Sequence, residues 1–144
     1  MTTTFRSDVR AGAYALLTAF AAANPSYALS VFRTRPAAFS DRPLAFVGGL
    51  DETINHTGTT LYQRTLNPEL VFVWASSADA LELADVRDDL IDGFVGYMAT
   101  RLSATAVQTR AFPTRVQDGE LELDGAFYPA SIVTIDGLSL EGSA

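Results

Sequence analysis

The chain has 144 residues, 48% of them hydrophobic, with nine Phe, one Trp and no Cys. That size and apolar content suit one domain (1–144) whose core needs no staples, while the missing cysteines exclude disulfides, thiolate metal sites and cysteine nucleophiles. Ten arginines against seventeen carboxylates leave a net charge of −7, and the arginines are scattered, so no basic face is set aside for nucleic-acid phosphates.

Val9, Ala13, Leu16, Leu17 and Phe20 recur at helical spacing and predict a first helix over about 7–23. Asp8 and Arg10 interrupt the apolar character of this segment, so it reads as a helix rather than a signal peptide. No apolar run approaches the roughly 20 residues that span a bilayer. The expectation is a soluble chain that stays where it is made, with no membrane partner. Asn24-Pro25 ends the helix, and "YALSVFRT" follows as a short strand.

"LAFVGGLDETIN" reads as a strand, "HTGTT" as a turn and "LYQRTLNPELVFVWA" as the returning strand of a long hairpin. Pro68 should interrupt the ladder or mark a bulge in this second arm. Leu70, Phe72 and Trp74 alternate with Val71, Val73 and Ala75, so both faces need a cover. A helix of the same chain suits one; the other is open to another helix or another subunit. Ser76 to Asp79 then carry a helix-start pattern, and a long helix over about 77–102 follows. Ala80, Leu83, Leu90, Ile91, Phe94 and Met98 share its apolar face, with Glu82, Asp85, Asp88, Asp89 and Asp92 opposite. Beyond it, Asp118-Gly119 and Asp124-Gly125 each predict a hairpin turn. "YPASIVTID" is the expected last strand, and Leu121 and Leu123 face inward. The fold class is therefore α+β: a mixed or antiparallel sheet with a long hairpin, packed on two helices.

The only histidine, His56, lies in "LDETINHTGTTLYQRTL" among acids and hydroxyls. A histidine suits general-base work, but an exposed hairpin turn neither orients the ring nor excludes water. Asp51 and Glu52 alternate to opposite faces of a strand and so do not converge on a metal. Asp85, Asp89 and Asp92 line one helix face at i, i+4 and i+7, yet lack the neighbouring histidines of carboxylate bundle sites, so a solvated acidic face is the simpler reading. Arg87 falls toward the apolar face; it either snorkels or pairs with a carboxylate across a packing interface. Phosphate loops, dinucleotide fingerprints, GxSxG and HExxH are missing. No catalytic residue, cofactor or metal is expected.

The succession of an amphipathic helix, "AFVGGLDETINHTGTTLYQRTLNPELVFVWAS", the acidic helix "SADALELADVRDDLIDGFVGYMATRL" and "VQDGELELDGAFYPASIVTIDGL" resembles the tail terminator (tail-completion) proteins of long-tailed bacteriophages. The resemblance implies a non-enzymatic subunit of a hexameric ring at the head–tail junction of the virion. Such a ring caps the tail tube, ends tube polymerisation, and meets the head connector or stopper proteins. DNA passes through its lumen without specific binding. It further implies that Glu52, Asn55, His56, Thr57 and Arg64 belong to a hairpin contacting a neighbouring subunit or ring. Asp85, Asp89 and Asp92 become candidates for the lumen, and Arg87 for an interface. Rival readings are another connector component, a tail tube subunit, or a small enzyme or ligand-binding domain. Replacing His56 with Ala separates these classes. A terminator loses at most some assembly efficiency, measured by tail assembly, whereas an enzyme using His56 loses its activity.

Overall fold

Residues 70–74, apolar at every position, lie at the centre of the sheet with Leu70, Phe72, Val73 and Trp74 all at most 2% exposed. The computed structural model describes residues 5–38, 43–56, 61–75, 80–101, 112–136 and 138–143. In chain order these form α1 (Phe5–Ala23), a 3-10 turn (Pro25–Tyr27), β1 (Ser30–Phe32), β2 (Leu44–His56) and β3 (Leu61–Val73). Then come α2 (Ala80–Arg101), β4 (Phe112–Leu123), β5 (Ala126–Asp136) and β6 (Leu138–Ser143). The sheet is open and mixed, in the order β1-β2-β3-β5-β4, with β6 also paired to β3. Only the β1–β2 pair is parallel. The α+β class expected from the sequence is the class observed.

The first face carries the helices. Phe20 of α1 meets Phe94 of α2 edge-on at 5.1 Å, and Phe94 meets Phe72 of β3 at 5.2 Å. Around these rings pack Ala13, Leu17, Leu70, Leu90, Met98 and Ile135. Of the expected stripes, Val9, Ala13, Leu17 and Phe20 of α1 and Leu90, Ile91, Phe94 and Met98 of α2 are buried, and Leu16 and Leu83 partly so. The Ala80 side chain lies outside the described residues. Gly93 of α2 allows a close approach here, since a Cβ would stand 2.5 Å from the Tyr27 hydroxyl.

The second face is covered by the chain's own β4–β5 hairpin. Leu121, Leu123 and Tyr128 from its outer half pack with Leu44, Phe46, Val71 and Val73. Arg35, just past β1, donates to the Glu122 carbonyl and ties the hairpin end across the sheet. The cover is therefore a hairpin of the same chain where the sequence left a further helix or another subunit open.

Several local expectations require correction. Asp118-Gly119 is not a turn: both residues sit within β4, paired with Ser131 and Ala130. The reversal is at Asp124-Gly125, whose φ angles of 52° and 79° suit a two-residue hairpin turn with glycine second. A hairpin gains more from one long ladder than from two short ones, and the pairs continue from Arg115 to Leu123. "YPASIVTID" is not the last strand, because β6 follows and pairs with residues 61–66 of β3. The β2–β3 bulge falls in the first arm instead of the second: between Val47 and Leu50 two glycines oppose the single residue Glu69. Gly48 fits there because a Cβ would lie 3.0 Å from Val71 Cγ2 and 3.3 Å from the Glu69 carbonyl. Pro68 does break the ladder on its other side, where pairing passes from Glu69–Thr134 to Leu66–Leu138. His56 is the last residue of β2, opposite Tyr62, and not part of the turn. The rest of that turn (57–60), Thr57 included, and the helix-start pattern at 76–79 lie outside the described residues.

Core and surface rings of one kind should behave very differently. Phe94→Ala is expected to destabilise the fold by about 3–5 kcal/mol. Phe127→Ala, at a position 63% exposed, should change stability by less than about 0.5 kcal/mol. Denaturant unfolding of the two variants beside the parent chain measures both.

Candidate functional site

Past the Gly48-Gly49 bulge, residues 51–56 of β2, 61–66 of β3 and all of β6 form a three-stranded arm. Thr53, Ile54, Asn55 and His56 are exposed along it, with Ile54 at 53%. Nearer the base Leu66 is buried, and the Glu52 side chain is only 12% exposed.

Glu52 is paired in register with Leu66, and Arg64 with Ile54, so Glu52 and Arg64 are diagonal neighbours on one face. Arg64 Nε donates to Glu52 Oε2, and its Nη2 donates to Oε1 at 3.1 Å. From α1, Arg6 Nη1 donates to the same Oε1 at 2.6 Å, and its Nη2 to the Leu50 carbonyl at 3.4 Å. One turn further along α1, Arg10 Nη1 donates to the Val47 and Gly48 carbonyls, each at 3.3 Å. Two arginines at i and i+4 therefore hold both the bulge and the base of the arm.

The fork of Arg64 is the main cause that brings the Glu52 carboxyl down to about 2 from its ordinary 4.5, with Arg6 adding to it against the opposing effect of burial. A carboxylate so far below neutral pH and already accepting three donors is unsuited to proton transfer at physiological pH. Its chemistry is that of a clamp.

The sequence-selected residues do not converge on one point. Asp51 points to the face opposite Glu52, as strand alternation requires. His56 lies four residues beyond Glu52, about 13 Å along an extended strand. Among the described residues no three of His, Asp and Glu gather as a metal-binding group. On α2, Asp85, Asp89 and Asp92 are all exposed. The Tyr27 hydroxyl donates to the Asp89 carbonyl at 3.3 Å; burial first, and then Asp89, raises its pKa.

Of the two outcomes left open by the sequence, Arg87 takes the pairing with a carboxylate. Its side chain is 18% exposed, lies over the Trp74 ring at 5.6 Å, and brings Nη1 to 3.9 Å from Asp118 Oδ2. Asp118 also accepts from the buried Ser131 Oγ at 2.5 Å. The arginine thus joins α2 to β4 within the chain.

Sequence reasoning did not find Arg6, Arg10 or Asp118. The first two are 46 and 37 residues away from the partners they reach, and no local pattern carries such a pairing.

Searches with models of known protein families give no match, and no curated protein matches the sequence. Among the described residues, no helix is long and apolar enough to cross a membrane.

The clamp makes a signed prediction about acid. A carboxyl whose pKa is lower in the folded state stabilises the fold fully above its unfolded value, and that contribution fades as pH falls through the folded one. For Glu52 the window runs from about 4.5 down to about 2. Glu52→Gln should be less stable than the parent at neutral pH, and the gap should narrow across that window. Urea unfolding at a series of acid pH values reads it.

Proposed function

We propose that this chain is a tail terminator of a long-tailed bacteriophage, a structural subunit that assembles into a ring, caps the finished tail tube and offers a joining surface to the head connector. The observation that carries the reading is the clamped arm. Its base is fixed by Arg6, Arg10 and Arg64, while its outer part presents Ile54 among Thr53, Asn55 and His56. On its own face Ile54 stands between Glu52 and His56 and opposite Arg64. An exposed branched apolar side chain with polar neighbours suits protein contact, and fixing the arm beforehand lowers the entropy cost of docking.

Two features support the reading further. Among the described residues of the arm, Glu52 is locked in ion pairs, and His56 lies four residues along the strand from it. The α2 carboxylates Asp85, Asp89 and Asp92 are exposed along one side of a helix. Placed around a lumen, such faces would repel DNA phosphates and let the duplex slide. In this reading the partners are further copies of the chain, the tail tube protein and the connector or stopper proteins. The place of action is the neck of the virion.

Purified tail tubes test this directly. Adding the protein during tube polymerisation should arrest growth and leave ring-shaped caps at tube ends in negative-stain images. Ile54→Asp should keep its circular dichroism spectrum and lose capping. Tubes that grow to the same lengths with and without the protein, and bare ends throughout, would overturn the proposal.

A further inference from the structure

The open sheet ends in two unlike edges, and each carries what the other lacks. At one end stands β4, which pairs with β5 on one side only among the described residues. The turn at Asp124-Gly125 makes Leu123 and Ala126 the hydrogen-bonded pair next to it. Pairs then alternate, so Glu122, Glu120 and Asp118 turn their backbone groups outward. Two contacts agree with that phase: Glu122 offers its carbonyl to Arg35, and Pro129, opposite Glu120, turns its carbonyl away toward the Trp74 amide. Arg35 occupies the tip, which leaves residues 116–120 without an outer strand partner among the described residues.

The side chains of this stretch divide by face. Asp118 and Glu120, both exposed, lie toward the helix side. Gly119 lies on the second face, opposite Ala130, and a Cβ there would meet nothing within 4 Å. Beside it is a hollow of about 180 Å³ lined by Val71, Leu121, Ala130 and Ile132 among others.

At the other end stands β1, paired only with β2 among the described residues. Val31, opposite Ala45, packs into the helix-side core. Phe32, opposite Phe46, therefore lies on the second face, and it is 37% exposed. Arg33 follows, exposed, on the helix side beside Tyr14.

We propose that copies of this chain join head to tail through these edges, β1 of one continuing the sheet beyond β4 of the next. Phe32 seats over Gly119 and fills the hollow, the aromatic-over-glycine pairing that protects edge glycines in sheets. That register sets Arg33 opposite Asp118 or Glu120, according to strand direction, on the same face. The match runs through shape and charge together, and the two patches differ, so the contact is heterologous and propagates to a ring or a filament. As the seam of the ring, this inference rests on the terminator reading. It leaves the arm free for the tube.

Because the chain has no cysteine, introduced thiols report the seam without background. Glu120→Cys and Arg33→Cys, each checked for native unfolding, are treated with a short bis-maleimide separately, mixed, and as a double variant. The mixture should give a covalent dimer, the double variant a ladder, and each single variant alone no product. Phe32→Ala should weaken association about tenfold or more, the scale of one lost aromatic burial. A dimer from Glu120→Cys alone would mean symmetric β4–β4 pairing and overturn the proposal. So would the absence of a mixed product at millimolar protein or on capped tubes. Rings at tube ends without the mixed product sink the seam and keep the terminator. The mixed product in a protein that never caps tubes keeps the seam and sinks the terminator.

Discussion

A strand that is apolar on both faces cannot be satisfied by a single layer, and the rest of the architecture follows from that constraint on β3. Leu70, Phe72 and Trp74 draw α1 and α2 onto one face; Val71 and Val73 draw the β4–β5 hairpin across the other. Burial without water is tolerable only while the strand's backbone groups are paired, which places β3 between β2 and β5. The edges are left to strands with less to hide. β1 is three residues long and β4 alternates carboxylates with small or apolar residues, both common ways of blunting an edge against indiscriminate pairing.

The same strand changes character at Pro68. On the core side of it β3 is buried; beyond it lies the arm, whose β2 half is exposed from residue 53 onward. A proline contributes no amide to the ladder, so the strand loses a bond at the point where the core ends. Two glycines opposite the neighbouring Glu69 add a bulge there, and α1 supplies guanidinium donors to the carbonyls of Val47 and Gly48. Electrostatics and backbone geometry thus meet at one place. The ion pairs of Glu52 tie the root of the arm to α1.

How much of this could be read in the chain depends on how local the cause is. The helices were legible because Val9, Ala13, Leu17 and Phe20, or Leu90, Phe94 and Met98, repeat at one spacing whatever their neighbours do. The long hairpin was legible from its two extended runs. Asp118-Gly119 misled, since the dipeptide favours a turn locally but extended pairing from Arg115 to Leu123 outweighs that preference. β6 escaped notice because "LSLEGS" is short and weakly patterned, and its pairing with β3 is set by distant residues. In the candidate site, the sequence singled out Glu52 and Arg64 but not their locking by Arg6. It left Arg87 between two outcomes, and the carboxylate of Asp118, distant along the chain and out of reach of any local pattern, decides for pairing.

The Gly48-Gly49 bulge also acts as a pivot. From Leu50 to His56 the arm extends six residue steps, about 20 Å of strand. A change of about 5° at the bulge would then carry the tip through almost 2 Å, about a third of the spacing between adjacent strands. Gly48 has Val71 and Glu69 close against it, and the donors of Arg10 grip the two carbonyls on its flank. Both resist that swing at its origin, where the leverage is greatest. The aim of the exposed end is therefore decided at its root, by residues that themselves make no outward contact.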